Sequence, residues 1–290
     1  MTHSRHMRKV LILGAGGKVG RLLARAWRHC PPAGIEPVFQ SRVAEGAGGL
    51  RWQEGDALAD LPRVAAVVAL WGVTPGAPRV CSENTRLALL AGEIARTLGA
   101  ERLFLASSAA VYGPVQDGRL TEDIPLPVPP GSYGKSKLDM EHAMKNWAAR
   151  PGPRPRISAL RLANVVGADS LFAALKSGGP VTLDRFADGG GPARSYLTAG
   201  DLGRILQALV TCPPATLPPV LNVAGRRALA MADLVRTAGA EVVWRPAPAT
   251  ATQRVELDTT LLRRFLGADL DQSSAPGPAI AALQALETLP

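Results

Sequence analysis

The chain is poor in aromatic residues, cysteine, histidine and lysine, and it contains no long hydrophobic run. Aromatic side chains make up 4% of the residues, too few for a surface that stacks bases. The net charge of +9 comes from 27 arginines and 6 lysines scattered singly, with no basic tail. Such a balance fits an anionic small ligand, or plain composition bias, better than nucleic acid. Cys30, Cys81 and Cys212 share no close spacing. That excludes a disulfide framework and a cysteine-rich zinc site, and it fits a reducing cytoplasm. His3, His6, His29 and His142 lack metal-ligand spacing, so no metal is expected. The longest apolar run, Val64 to Val73, has the length of a core strand. A membrane span needs roughly 18 to 20 such residues. Met1 to Lys9 is short and basic with no small-residue cleavage site, so no signal peptide is read. Met1 to His6 read as vector-derived or frayed.

What is present is the material of a large core. Apolar residues are 47% and charged residues 20% of 290, enough for one large domain or two unequal ones. Short apolar runs alternate with amphipathic stretches. Strands are predicted over Lys9–Leu13, Glu36–Gln40, Val64–Leu70, Arg102–Ala106 and Ile157–Leu162. Helices are predicted over Val19–His29, Ser82–Leu98 and Tyr133–Ala149. That alternation predicts an α/β fold with a Rossmann-type, doubly wound parallel sheet covered on both faces. The dinucleotide-binding domain is placed at residues 8–165, with 194–225 returning to it. Residues 166–290 are expected to form a small, loop-rich substrate-binding region with helices near Ala199–Thr211, Ala230–Ala238 and Thr259–Leu266. The tail after Gln272 reads as a loosely attached helix. Trp147 and Trp244 are assigned to packing.

Gly14-Ala15-Gly16-Gly17-Lys18-Val19-Gly20 follows the first strand and opens a helix. Glycines at 14, 17 and 20 permit a tight turn, close approach to a pyrophosphate and tight helix packing. The helix N-terminus, where Lys18 and Val19 sit, offers free N–H groups and partial positive charge to phosphates. A dinucleotide is the expected ligand. The second strand ends Gln40-Ser41-Arg42, with no acid to hold a ribose 2′-hydroxyl. Ser41 and Arg42 can hold a 2′-phosphate instead, which favours NADP over NAD.

Tyr133 and Lys137 lie one turn apart on a predicted helix, so they share a face. A phenol is a poor base at neutral pH, and a nearby cation favours its ionised form. Lys137 is therefore expected to bring the Tyr133 pKa down. Ser107-Ser108 end an apolar strand, which puts a hydroxyl at the C-terminal edge of the sheet, where open α/β folds bind ligands.

Together, Gly14-x-x-Gly17-x-x-Gly20, Ser107-Ser108-Ala109-Ala110-Val111-Tyr112-Gly113 and Tyr133-x-x-x-Lys137 resemble the extended short-chain dehydrogenase/reductases, the NAD-dependent epimerase/dehydratase family. Gly55-Asp56, Asn84, Thr121-Glu122-Asp123, Leu160-Arg161-x-x-Asn164-Val165-x-Gly167 and Arg194-Ser195-Tyr196 with Asp201 extend the likeness over about residues 8 to 270. The resemblance implies hydride transfer between a nicotinamide and a hydroxyl or carbonyl carbon of a sugar or nucleotide-sugar. Tyr133 would exchange the proton, Ser108 would hold the same oxygen, and Lys137 would grip the ribose. Asp56, Ala57, Leu70, Trp71, Gly72, Asn84 and Ser107 would complete the cofactor pocket, and Ser108, Ala109, Asn164 and Arg194 would meet an anionic substrate.

In the resemblance, Ala109 and Ala110 stand where the family's dehydratases carry an Asp-Glu pair, and Ala110 stands where a carbon-epimerising branch needs cysteine, so simple oxidation–reduction or 4-epimerisation remains. The two long helices resemble the family's dimer-forming pair, which implies a homodimer. A short region after Asn164 and a bulky Trp71 keep two alternatives open, a reductase of a non-sugar carbonyl compound and a non-catalytic NAD(P)-binding protein.

Overall fold

The computed structural model describes residues 7–43, 49–73, 80–114, 119–127, 131–267 and 270–288. Met1–His6, the Cys81 side chain and residues 128–130 of the proline loop lie outside them. The first part alternates β1 (Arg8–Leu13), α1 (Lys18–His29), β2 (Ile35–Ser41), β3 (Gly49–Arg51), β4 (Ala66–Ala69), α2 (Val80–Thr97), β5 (Arg102–Ser108), α3 (Ser132–Ala148) and β6 (Arg156–Leu162). The second part holds β7 (Asn164–Val165), α4 (Ser170–Ser177), β8 (Val181–Arg185), β9 (Ala193–Leu197), α5 (Ala199–Thr211), β10 (Val220–Val223), β11 (Ala228–Ala230), α6 (Met231–Thr237), β12 (Val242–Pro246), β13 (Arg254–Val255), α7 (Thr260–Arg263) and α8 (Pro276–Glu287).

Seven strands form one sheet in the order β10-β6-β5-β4-β1-β2-β3, and every pairing is parallel. Parallel strands need helical crossovers, so the sheet is covered on both sides. Continuous apolar runs follow from that: the side chains of Val10, Leu11, Ile12 and Leu13 are all sealed. One face packs on α1 and α5 through Leu23, Trp27, Leu202 and Ile205. The other packs on α2 and α3 through Ala91, Ile94, Met144 and Trp147. The strand order reverses between β1 and β4, which opens a crevice at the C-terminal ends of those strands. The glycine loop after β1 sits at that point.

The second part is richer in strands than its sequence indicates. β9 pairs with β7, β11 and β13, and β8 pairs with β12. These strands have two to five residues and no sustained alternation, so their partners, not their own pattern, define them. The helix expected to reach Leu266 is regular only to Arg263, and single i→i+3 bonds close the turn beyond it. The tail is not loose. Ala279, Ile280, Leu283 and Leu286 of α8 are buried against Leu22, Ala26 and Val166. The lead into α8 is tied down as well, because Ser273 N and Oγ both donate to the buried Asp201 carboxylate, at 2.8 and 2.7 Å. Sequence hydropathy misses this because the buried face of α8 is short and its partners lie far back in the chain. Among the described residues no helix is long and apolar enough to cross a membrane.

Candidate active site

β1 ends at Leu13, and the chain turns through Gly14 in the left-handed region (φ +79°) before α1 begins. A Cβ on Gly14 would lie 2.7 Å from the Trp71 backbone, and one on Gly20 would lie 2.5 Å from Gly14 O. Both obstacles include backbone, so both positions require glycine. Gly17 caps α1 without any side-chain cap, and the first turn carries no acid. Its N–H groups therefore remain available for an anion. Lys18 and Val19 follow, Lys18 exposed and Val19 half-buried.

Gln40, which the sequence did not single out, braces this loop. Its buried carboxamide accepts from Gly14 N at 3.0 Å and donates to Trp52 O at 2.5 Å. Ser41 lies 3.5 Å from where a Gly16 Cβ would stand, and Arg42 beside it is exposed. Arg21 donates to Gly16 O. Among the described residues the end of β2 thus carries one exposed cation, Arg42, and the Ser41 hydroxyl, which donates to Val43 O, beside the glycine loop.

The loop after β4 completes the crevice. Leu70 N donates to Leu13 O at 2.9 Å. The indole N–H of Trp71, the residue pressed on Gly14, is buried and has no hydrogen-bond partner among the described residues. A Cβ on Gly72 would stand 2.8 Å from Asn84 Oδ1 and 3.2 Å from Lys137 Nζ. Asn84 is buried. It accepts from Val73 N at 3.0 Å and donates to Ser136 Oγ at 2.9 Å. Ser136 in turn donates to Tyr133 O at 2.8 Å. This residue was missed, although it lies between Tyr133 and Lys137 in the same motif. Asp56 and Ala57 occupy an exposed turn in which the Asp56 carboxylate accepts from Gln53 N at 2.9 Å.

Ser108, Tyr133 and Lys137 converge from two elements, β5 and α3. Lys137 Nζ is 5.9 Å from the Tyr133 ring centroid and donates to Ala106 O at 2.8 Å. Ser108 Oγ accepts from Ala110 N at 3.2 Å, which turns the chain into the short helix carrying Ala109 and Ala110. Burial pushes the Tyr133 phenol above its ordinary value, and a hydrogen bond with Ser108 pulls weakly the other way. This reverses the expected direction. Lys137 is itself buried and pushed down to about 8, opposed by the charge of Glu141, and its hydrogen bond goes to a backbone oxygen. Desolvation of the phenolate outweighs the hydrogen bond with Ser108.

Other expected residues are placed differently. Ser107 is buried and donates to Glu141 at 2.5 Å. Asn164 Nδ2 donates to Asp169 at 2.8 Å. The Arg194 guanidinium donates to the backbone oxygens of Ala193, Gln253 and Thr252 at 2.8, 2.8 and 2.7 Å. Trp147 packs under α2 and donates to Glu93 at 2.9 Å, and Trp244 packs in the second part. Cys30 and Cys212 are free thiols. Among the described residues no group of His, Cys, Asp and Glu is placed to hold a metal ion.

A seven-stranded parallel sheet with a glycine loop at its switch point defines a Rossmann-like α/β protein. The sequence profile of the NAD dependent epimerase/dehydratase family matches residues 51–224, more than half of the chain, and the chain belongs to that family. Over 76 residues it is 40% identical to UDP-glucose 4-epimerase 2 of Oryza sativa subsp. japonica. That match takes in 26% of this chain and only 18% of the relative's length. Among solved structures it resembles MoeE5 in complex with UDP-glucuronic acid and NAD, with a TM-score of 0.77 and 22% identity over 97% of this chain and 100% of that one. It also resembles UDP-N-acetylglucosamine 4-epimerase from Bacillus cereus, with a TM-score of 0.75 and 19% identity over 97% and 99%. At these identities the likeness is one of fold.

Proposed function

We propose that the chain is a nicotinamide-dependent oxidoreductase or epimerase acting at a hydroxyl or carbonyl carbon of a nucleotide-sugar, with Tyr133 as its acid and base. One observation carries the reading: the serine, tyrosine and lysine meet at the crevice of the glycine loop, linked to it by Lys137 against Gly72 and Trp71 against Gly14. The crevice suits a dinucleotide on its own terms. It has a cradle that side chains would fill, an uncapped helix N-terminus and, on the residue touching Gly14, an indole N–H with no partner among the described residues. Gly14, Gly17 and the start of α1 would hold the pyrophosphate, Asp56 and Ala57 the adenine end, and Lys137 with Asn84 the ribose side of the nicotinamide.

A bound nicotinamide dinucleotide supplies the hydride acceptor and donor. The protein handles the proton and the oxygen. With its phenol raised by burial, Tyr133 rests protonated and is set to donate to a substrate carbonyl oxygen. Ser108 hydrogen-bonds the same oxygen and holds it. In the reverse direction the proton returns to the phenolate, which the Lys137 ammonium stabilises. Ala109 and Ala110 offer no group that could move a proton, so elimination of water is not the proposed reaction.

The structures that resemble this chain include complexes with UDP-sugars and NAD, which supports the substrate class. For the cofactor we favour NADP, because Ser41 and Arg42 replace the usual acid. A charge-assisted hydrogen bond contributes about 1.5–3 kcal/mol, and solvent reduces that for an exposed guanidinium. Arg42→Ala is therefore expected to weaken NADPH roughly tenfold and NADH less than twofold, read by fluorescence titration. Equal losses would reject the preference.

A second reading, a reductase of a smaller carbonyl compound, draws on Arg194. Its terminal nitrogens are taken by backbone oxygens, which leaves less for a pyrophosphate. The deciding experiment supplies UDP-, GDP- and dTDP-sugars beside simple ketones and aldehydes, following nicotinamide absorbance and the sugar products by NMR. Turnover confined to the simple carbonyls would replace the first reading by the second.

A further inference from the structure

The buried polar side chains below the crevice gather on one carboxylate. Glu141 follows Tyr133 and Lys137 on the same face of α3, one turn further along. It is buried, and it accepts from Ser107 Oγ at 2.5 Å and from Arg161 Nε and Nη2 at 3.2 and 2.9 Å. Ser107 and Arg161 stand opposite each other in the register of β5 and β6. A single side chain of α3 thus holds both strands beneath it. Arg161 extends the network to Tyr112, whose hydroxyl accepts at 3.0 Å and lies 2.7 Å from Asn222 Oδ1.

Stability alone does not call for such a group. The desolvation of a buried ion pair commonly cancels its attraction, and an apolar set of the same volume serves as well. What an apolar set would not supply is charge. Lys137 and Arg161 are both sealed from solvent, at 4% and 3% exposure, and Glu141 pairs with Arg161 at 2.9 Å and lies one turn from Lys137 on α3, near enough for its charge to act on the amine. Nor would it supply hydrogen bonds that set the height of α3 on the sheet. That height decides whether Tyr133 reaches Ser108, which directly follows Ser107 at the end of β5.

We propose that Glu141 is a positioning residue for the reaction: it compensates the two buried cations under the catalytic turn and, through Ser107 and Arg161, sets the height of α3 against β5 and β6. The proposal rests on the reading of Tyr133 and Lys137 given above. Among the described residues the groups placed about Lys137 are Tyr133 and Glu141 on its own helix, Ala106 O from β5, and Gly72 with Asn84 beside it. Of these Glu141 alone brings negative charge. With it in place, burial leaves Lys137 at about 8.

The test needs no substrate. The chain has 6 lysines, so carbon-13 at lysine Cε follows each ammonium through a pH titration, with Lys137→Met for assignment. In Glu141→Gln the Lys137 midpoint is expected to fall by at least about one pH unit, a tenfold change in its proton affinity. Arg161 is left unpaired there, so Glu141→Gln with Arg161→Gln provides a second variant that pairs two amides. A smaller fall is expected in it, because a buried cation leaves together with the carboxylate, with weaker NADPH binding whose pH profile shifts in parallel. An unmoved lysine midpoint in Glu141→Gln, or a double variant that does not fold, overturns the proposal in favour of a purely structural pair. A moved midpoint in a protein that binds neither NADPH nor NADH upholds the charge compensation and sinks the proposed function instead.

Discussion

Tyr133→Phe is expected to lower kcat/KM by about 10²- to 10⁴-fold on whichever carbonyl or sugar the enzyme turns over, with NADPH affinity changed less than twofold. The substitution keeps the ring and removes one oxygen. The ring is half-buried at the end of α3, so Phe fits the same space, and the Lys137 ammonium still reaches Ala106 O. What disappears is the hydroxyl that shares a hydrogen bond with Ser108 and gives or takes the proton. Removal of the proton donor alone should therefore separate catalysis from binding. The measurement is steady-state turnover beside a cofactor titration on the same preparation. Half of the wild-type rate in the variant would mean that another group moves the proton. A large loss of cofactor affinity would mean that the phenol was acting as a cofactor ligand first.

The second large effect is expected at Gly14→Ala. A methyl group there meets two penalties. The backbone sits at φ +79°, which costs a non-glycine residue about 1–2 kcal/mol. The new Cβ also falls 2.7 Å from Trp71 N, Cα and Cβ, where the chain itself must move. Gly34 separates the two, because it has a similar φ of +74° and nothing within 4 Å of its Cβ position. Gly34→Ala should cost about 1 kcal/mol and leave the cofactor cleft intact. Gly14→Ala should cost at least about 3 kcal/mol, and at roughly 2–4 °C per kcal/mol for a chain of this size it should lower Tm by about 6–12 °C. Cofactor binding should be lost with it, since Trp71 and the glycine loop form the two walls of the crevice. Equal Tm shifts for the two variants would show that the close approach of Trp71 contributes nothing.

Much of the first half of the molecule is legible because its strands are buried on both faces and its helices on one. Val10 to Leu13, Ala66 to Ala69 and Leu103 to Leu105 are continuous apolar runs that only a covered parallel sheet produces. The motif residues are legible for a similar reason. Gly14, Gly20 and Gly72 mark places where a side chain has no room, and such places are visible as glycine in any listing of residues. The short strands of the second half are not legible, because β7, β11 and β13 exist only through pairing with β9. The seat of α8 was equally hidden. It depends on Asp201 meeting Ser273 across a long stretch of chain.

The sequence by itself determined the alternation of strands and helices, the glycine turn, and the serine, tyrosine and lysine as the candidate reacting groups. These follow from local rules of hydrophobic period, backbone freedom and side-chain chemistry. Only the tertiary structure decided how those groups are tuned and braced. Gln40 under the glycine loop, Ser136 between Asn84 and Tyr133, and Glu141 between Ser107 and Arg161 owe their roles to neighbours brought in from distant segments. The direction of the Tyr133 shift belongs to the same class. Desolvation depends on everything packed around the ring, and no spacing between two residues can report it.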